Sequence, residues 1–157
     1  MRLPGYDYAQ PGAYFVTTCT QDRASLFGTI ADGMMRLNAH GRIVRDTWLH
    51  LPDHYPLELD AFVAMPNHVH GIIVIPSVGA GFKPAPTLSE IVRAFKTFSA
   101  RRIGHPVWQR NFHEHIIRSE ASLERIRQYI VDNPASWAFD RENPFASASL
   151  DAVSRRL

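Results

Sequence analysis

The feature that most constrains the fold is a pair of apolar runs with almost nothing between them. "LELDAFVAM" (residues 57–65) and "HVHGIIVI" (residues 68–75) are separated only by Pro66 and Asn67. Two strand-like runs joined by a two-residue turn pair as an antiparallel hairpin. Alternate residues of a strand share a face. His68 and His70 therefore open the second strand on one side, with Ile72 and Val74 beyond them. Val69, Ile73 and Ile75 take the other side. Apolar residues on both faces mark a central strand, covered above and below.

The other elements build around this hairpin. "GAYFVTTCT" (residues 12–20) is rich in aromatic and β-branched residues and predicts a strand. Residues 37–51 carry Ile43, Val44, Trp48 and Leu51 at helical spacing, with Asn38 as N-cap and Pro52 as stop. Residues 76–86, "PSVGAGFKPAP", form a Gly/Pro loop without the Gly-Lys-Ser/Thr of a phosphate-binding loop. Thr87 and Glu90 make a capping box for a helix running to about Ile103. Residues 107–119 predict a strand, and Ser119 or Ser122 caps a third helix that ends before Pro134. The order β-α-β-β-α-β-α predicts an α+β fold. Its first six elements follow the ferredoxin-like pattern, an antiparallel sheet with helices on one face. The other face is left for a ligand or for the third helix.

At 157 residues the chain suits one domain, expected over residues 1–144 with a C-terminal tail at 145–157. The single cysteine, Cys19, excludes an internal disulfide and fits a reducing cytoplasm. No apolar run is long enough to span a membrane. Charge is uneven: residues 83–127 hold nine Lys/Arg against four Asp/Glu, a balance that suits a polyanion such as nucleic acid. A solvated charged surface would read the same way.

Two imidazoles on one strand face can share a divalent cation, but two ligands hold it weakly and a third must come from elsewhere. Tyr129 and Asn133, four apart in the third helix, lie one above the other. An amide oxygen is a hard, neutral ligand for Mg²⁺ or Mn²⁺. A tyrosine beside such a cation becomes a usable nucleophile, since its hydroxyl otherwise ionises only near pH 10. Read without the histidines, Tyr129 is a packing residue and Asn133 a helix C-cap. A second alternation, His113 and His115, also shares one strand face, with no nucleophile candidate placed nearby by sequence.

Taken together, His68-Val69-His70 within "MPNHVHGIIVIP", "QYIVDNP", the opening "RLPGYDYAQPGAYFVTTCTQDRASLFG", "VWQRNFHEHIIRS" and "NPASWAFDRENP" resemble the single-tyrosine HUH transposases, most of all the REP-associated tyrosine transposases. The resemblance covers residues 2–144. It implies that His68, His70 and Asn133 hold one Mg²⁺ or Mn²⁺, and that Tyr129 attacks a phosphate of single-stranded DNA. A 5′-phosphotyrosine adduct and a free 3′-hydroxyl result, and rejoining needs no ATP. The implied partners are hairpins of repetitive extragenic palindromes. The implied assembly is a monomer, although related enzymes exchange the tyrosine helix between two subunits.

Arg93, Lys96, Arg101, Arg102 and Arg110 are the expected DNA-backbone contacts, with Arg118, Arg125 and Arg127 flanking the tyrosine helix. By analogy with the family, Arg2 and Tyr6 would belong to an N-terminal arm that reads bases or the hairpin foot. A cytoplasmic, nucleoid-associated location follows from the same resemblance. Two rival readings stand beside it: a hairpin-binding protein without cleavage, and a metallohydrolase of small phosphoesters with no role for Tyr129.

Overall fold

The computed structural model describes residues 12–76 and 86–139. Along the chain run β1 (Gly12–Cys19), β2 (Gly28–Ala31), β3 (Met34–Leu37), α1 (Ala39–Leu49), β4 (Glu58–Met65), β5 (His68–Ile75), α2 (Leu88–Ile103), β6 (His113–Ile117) and α3 (Glu120–Asp132), with short 3₁₀ turns between some of them. The main sheet has the order β4-β5-β1-β6, and every neighbouring pair is antiparallel. This is the strand order of a ferredoxin-like sheet.

The two faces of β5 separate the layers. Val69, Ile73 and Ile75, with Tyr14 and Val16 of β1, pack against Val44 and Trp48 of α1 and Ile91, Val92 and Phe95 of α2. Ile72 turns the other way and packs with Ile126 and Ile130 of α3. The third helix thus covers the face left vacant by the first two. Gly71 matters to this arrangement. A Cβ built there would lie 2.2 Å from Trp48 Cζ2, so only glycine lets the indole reach the strand.

Local chemistry sets the helix ends as expected. Asn38 accepts from the Gly41 amide, and Ser119 accepts from the Ser122 amide. Thr87 and Glu90 complete both halves of their capping box. Gly104, with φ of 102°, closes α2 in the left-handed conformation.

Two features differ from expectation. The strand expected over residues 107–119 shortens to β6, His113–Ile117. Its first part leaves the ladder because the Lys96 ammonium takes the carbonyls of Gln109, Arg110 and Asn111 at 2.8, 3.2 and 3.0 Å. Val107 and Trp108 sink into the larger core instead, where Trp108 donates to Ser99 Oγ at 2.9 Å. The second feature is a small hairpin, β2–β3, ahead of α1. Its turn holds Asp32 and Gly33 at φ of 53° and 72°, the left-handed pair of a tight hairpin. The dipeptide Asp-Gly was its signal in the sequence.

Candidate active site

The two histidines meet where β5 leaves the Pro66-Asn67 turn. His68 Nε2 and His70 Nε2 lie 3.1 Å apart, and both residues are buried. Each ring is held from behind by its other nitrogen. His68 Nδ1 lies 2.8 Å from Asn67 Oδ1, and His70 Nδ1 lies 2.8 Å from Thr17 Oγ1. Thr17 faces His70 because β1 and β5 pair in that register. Phe15 stacks on the His70 ring, with centroids 5.3 Å apart and planes 26° apart. Burial, with His68 adding to it, holds His70 well below the usual histidine range. It is therefore a neutral imidazole near pH 7.

Helix α3 brings the rest. The Tyr129 ring lies 5.3 Å from the His70 ring and 6.1 Å from Phe15, all within one chain. Beyond the helix, Trp137 lies 6.0 Å from His68. Asn133 lies between these two residues in the chain, at the C-cap of α3. It is 2% exposed, and its Oδ1 has no hydrogen-bond partner among the described residues. A buried, unsatisfied amide oxygen costs stability unless something else engages it. Two imidazole nitrogens 3.1 Å apart, and the orphaned hard oxygen of Asn133 on the helix that carries Tyr129 to His70, are donors of a kind that suits a divalent cation of the Mg²⁺ or Mn²⁺ type.

An ion pair docks α3 on the sheet. Arg127 donates through Nε and Nη2 to the two carboxylate oxygens of Asp60, at 2.8 and 2.6 Å, and through Nη1 to Glu124 at 2.7 Å. Asp60 sits at an irregularity of β4, where the pairing with β5 shifts between Leu59 and Phe62. A bulge of this kind re-aims a side chain, here toward α3. The Arg127 guanidinium lowers the Asp60 pKa, and Arg127 in turn is pushed upward. Arg127 is thus engaged in holding the tyrosine helix.

The expected DNA contacts lie elsewhere. Arg93, Arg101 and Arg102 are exposed on α2, and Arg110 follows it, so all four belong to the opposite layer from Tyr129. Arg93 and Arg110 line one pocket of about 150 Å³ with Ser89 and Asn111. Arg101 and Arg102 line another of about 320 Å³ with His50, His54 and Phe98. Lys96 is engaged with the protein itself. Its three protons are taken by the three loop carbonyls, so it braces the loop that carries Arg110. Arg2 and Tyr6 lie outside the described residues, as does the tail. His113 and His115 are exposed on the edge strand β6. They pair with Thr17 and Phe15, which puts them on the same sheet face as His70.

Sequence reasoning missed Phe15, Thr17, Asn67, Trp137 and the Asp60–Arg127 pair. Thr17 and Phe15 become visible only once the register of β1 on β5 is known. Asn67 reads in the sequence as a turn residue, with nothing to mark its side chain as a histidine partner.

No family model matches the chain. An uncharacterized protein of Haemophilus influenzae is 39% identical over 162 residues, covering 90% of each chain. A REP-associated tyrosine transposase of Escherichia coli K12 is 28% identical over 96% of this chain and 84% of its own length. Among solved structures, a REP-associated tyrosine transposase bound to a REP hairpin superposes with a TM-score of 0.67 at 24% identity. That match covers 99% of this chain and 87% of the other. With the two histidines and the tyrosine helix in place, the chain shares the fold of the solved REP-associated tyrosine transposase and is similar in sequence to proteins of that name.

Proposed function

We propose that the chain binds REP-type DNA hairpins and cleaves and rejoins single-stranded DNA beside them through Tyr129. The observation that carries this reading is the packing of the Tyr129 ring against His70, whose Nε2 faces that of His68 at 3.1 Å.

His68, His70 and Asn133 would hold Mg²⁺ or Mn²⁺, which supplies charge to polarise the scissile phosphate and favour tyrosinate. The protein residues do the rest. Thr17 and Asn67 fix the ring planes of the two histidines. Phe15 and Tyr129 wall one side of the site with aromatic surface. Tyr129 Oη attacks phosphorus as its proton leaves to solvent. The P–O3′ bond breaks, the 3′-oxygen takes a proton, and the 5′-phosphate stays on the tyrosine. Attack by a 3′-hydroxyl reverses the step, with the bond energy conserved in the adduct. Asp60 and Arg127 keep the adduct-bearing helix on its own sheet, which favours a monomer acting in cis.

Arg93, Arg101, Arg102 and Arg110 serve as backbone contacts for the hairpin, with Arg2 and Tyr6 as an N-terminal arm. A cytoplasmic, nucleoid-associated protein suits such a substrate. Incubation with a hairpin oligonucleotide carrying a single-stranded flank, with Mn²⁺, should give an adduct that survives denaturation. The adduct should vanish in Tyr129→Phe, and its persistence there would rule out this nucleophile. Tight binding of the hairpin with no cleavage under any divalent cation would favour a binding protein instead.

A further inference from the structure

The two histidines are held by partners of different chemistry, and this makes them unequal. Asn67 presents its amide in one sense only. Its Nδ2 donates to the Arg23 carbonyl at 3.2 Å, so its Oδ1 must face His68 Nδ1. An amide oxygen only accepts, so His68 Nδ1 carries the proton and Nε2 the lone pair. The Arg23 carbonyl is held in turn by strained backbone. Asp22 and Arg23 stand at φ of 56° and 54°, two consecutive non-glycine residues in the left-handed region. Thr20 holds the other side, its amide donating to the Asn67 carbonyl at 2.9 Å and its hydroxyl proton shared between the carbonyls of Ala24 at 2.8 Å and Asn67 at 3.1 Å. Asn67 is 1% exposed, and flipping its amide would set Oδ1 against the Arg23 carbonyl, two acceptors face to face.

Thr17 is a different kind of partner. A hydroxyl donates or accepts by turning about one bond. His70 can therefore carry its proton on either nitrogen and keep its 2.8 Å hydrogen bond to Thr17. A separation of 3.1 Å between the two Nε2 atoms is a hydrogen-bond distance. With the His68 lone pair fixed there, His70 Nε2–H is the donor.

We propose that His68 is a fixed ligand, locked as its Nδ1–H tautomer through Asn67 and the strained Asp22–Arg23 turn. His70 is an adjustable one, which moves its proton from Nε2 to Nδ1 when a divalent cation binds. The Thr17 hydroxyl reverses from donor to acceptor in the same event. Thr17 and Asn67 are positioning residues, not catalytic ones. In the chelated protein the His70–His68 hydrogen bond closes the pair, and the cation replaces it without any change of net imidazole charge. This rests on the metal site proposed above but not on DNA cleavage.

The test uses the full ¹⁵N-labelled chain near pH 7.5, first with chelator and then with Mg²⁺. Two-bond ¹H–¹⁵N spectra report the tautomer of each imidazole. His68 should show Nδ1–H in both states, while His70 should change from Nε2–H to Nδ1–H. A His68 that changes tautomer, or a His70 with Nδ1–H in both states, overturns the proposal. Calorimetric titration with Mn²⁺ supplies the second readout. Thr17→Val should bind about 10- to 100-fold more weakly, the range seen when an outer partner of a ligand is lost. Thr17→Ser should restore affinity, and a Thr17→Val protein that binds as tightly as wild type overturns the role of Thr17. Asn67→Asp keeps the acceptor and should keep the His68 tautomer, whereas Asn67→Leu should release it. If either apolar variant fails to fold, the wild-type spectra still decide. A chain that binds no Mn²⁺ overturns the metal site together with the switch. One that binds Mn²⁺ with His70 unchanged overturns the switch alone.

Discussion

The two faces of the sheet are built for different purposes. Toward α1 and α2 lies a continuous apolar layer in which Trp48 meets Phe62 and Phe95, and Trp108 meets Phe27 and Phe95. Toward α3 the buried apolar cluster is small, with Ile72, Ile126 and Ile130 at its centre. Much of the remaining buried space on that side goes to His68, His70 and Asn133. Burying polar groups costs free energy that apolar contacts would have supplied. The first face therefore carries the stability, and the second holds a helix in place with fewer apolar contacts and an ion pair.

The contrast can be broken at each face in turn. The largest effect belongs to chemistry. Tyr129→Phe should abolish the covalent DNA adduct on a denaturing gel while leaving the urea midpoint near that of wild type, because the ring and its contacts remain. Next comes the apolar face. Trp48→Ala should cost about 3–5 kcal/mol in urea unfolding, as for other fully buried large aromatics. A much smaller loss would mean that the α1 layer is not the source of stability.

Arg127→Gln should act on the other face alone. Amide exchange should quicken in α3 and adduct yield should fall, while α1 and α2 keep their protection. Uniform acceleration through both layers would erase the distinction. The pH dependence is subtler. His70 stays neutral in the native chain, whereas the unfolded chain takes up a proton near pH 6.5. Its contribution to stability is full above about pH 6.5 and declines as pH falls toward the depressed native value. His70→Gln should flatten the fall in urea midpoint between pH 7.5 and 5.5. The smallest effect is expected for Arg93→Ala with Arg110→Ala. Hairpin binding should weaken modestly, and the slope of log affinity against log salt should drop by about 2 if each guanidinium meets one phosphate. An unchanged slope would place the DNA elsewhere.

Much of this contrast was legible in the sequence, for local reasons. The β4–β5 hairpin, the caps at Asn38, Thr87 and Ser119, and the division of β5 into two faces all follow from short-range spacing. His68, His70, Tyr129 and Asn133 were legible as pairs because helix and strand periods put them side by side. What failed was non-local. The early part of the last strand was lost to a lysine thirteen to fifteen residues away that captures its carbonyls. Thr17 and Phe15 entered the site through a register that no neighbouring residue announces. Asp60 reaches Arg127 only because β4 is irregular there. Residue type alone does not show a lysine's own contacts: burial lowers the Lys96 pKa, and its protons serve the backbone.

The missing side chain at Gly71 has a consequence for how the chain finds its structure. Strand pairing is repetitive, and a slip of one residue would turn His68 and His70 into the apolar layer and Val69 toward Tyr129. The Trp48 indole cannot approach β5 at any position that bears a Cβ so close to it. Of the eight positions along this strand, only the fourth is bare. The largest side chain of the core thus acts as a key with one notch. The slipped pairings leave it without a seat, and the fold proofreads the placement of His68 and His70 from the opposite side of the sheet.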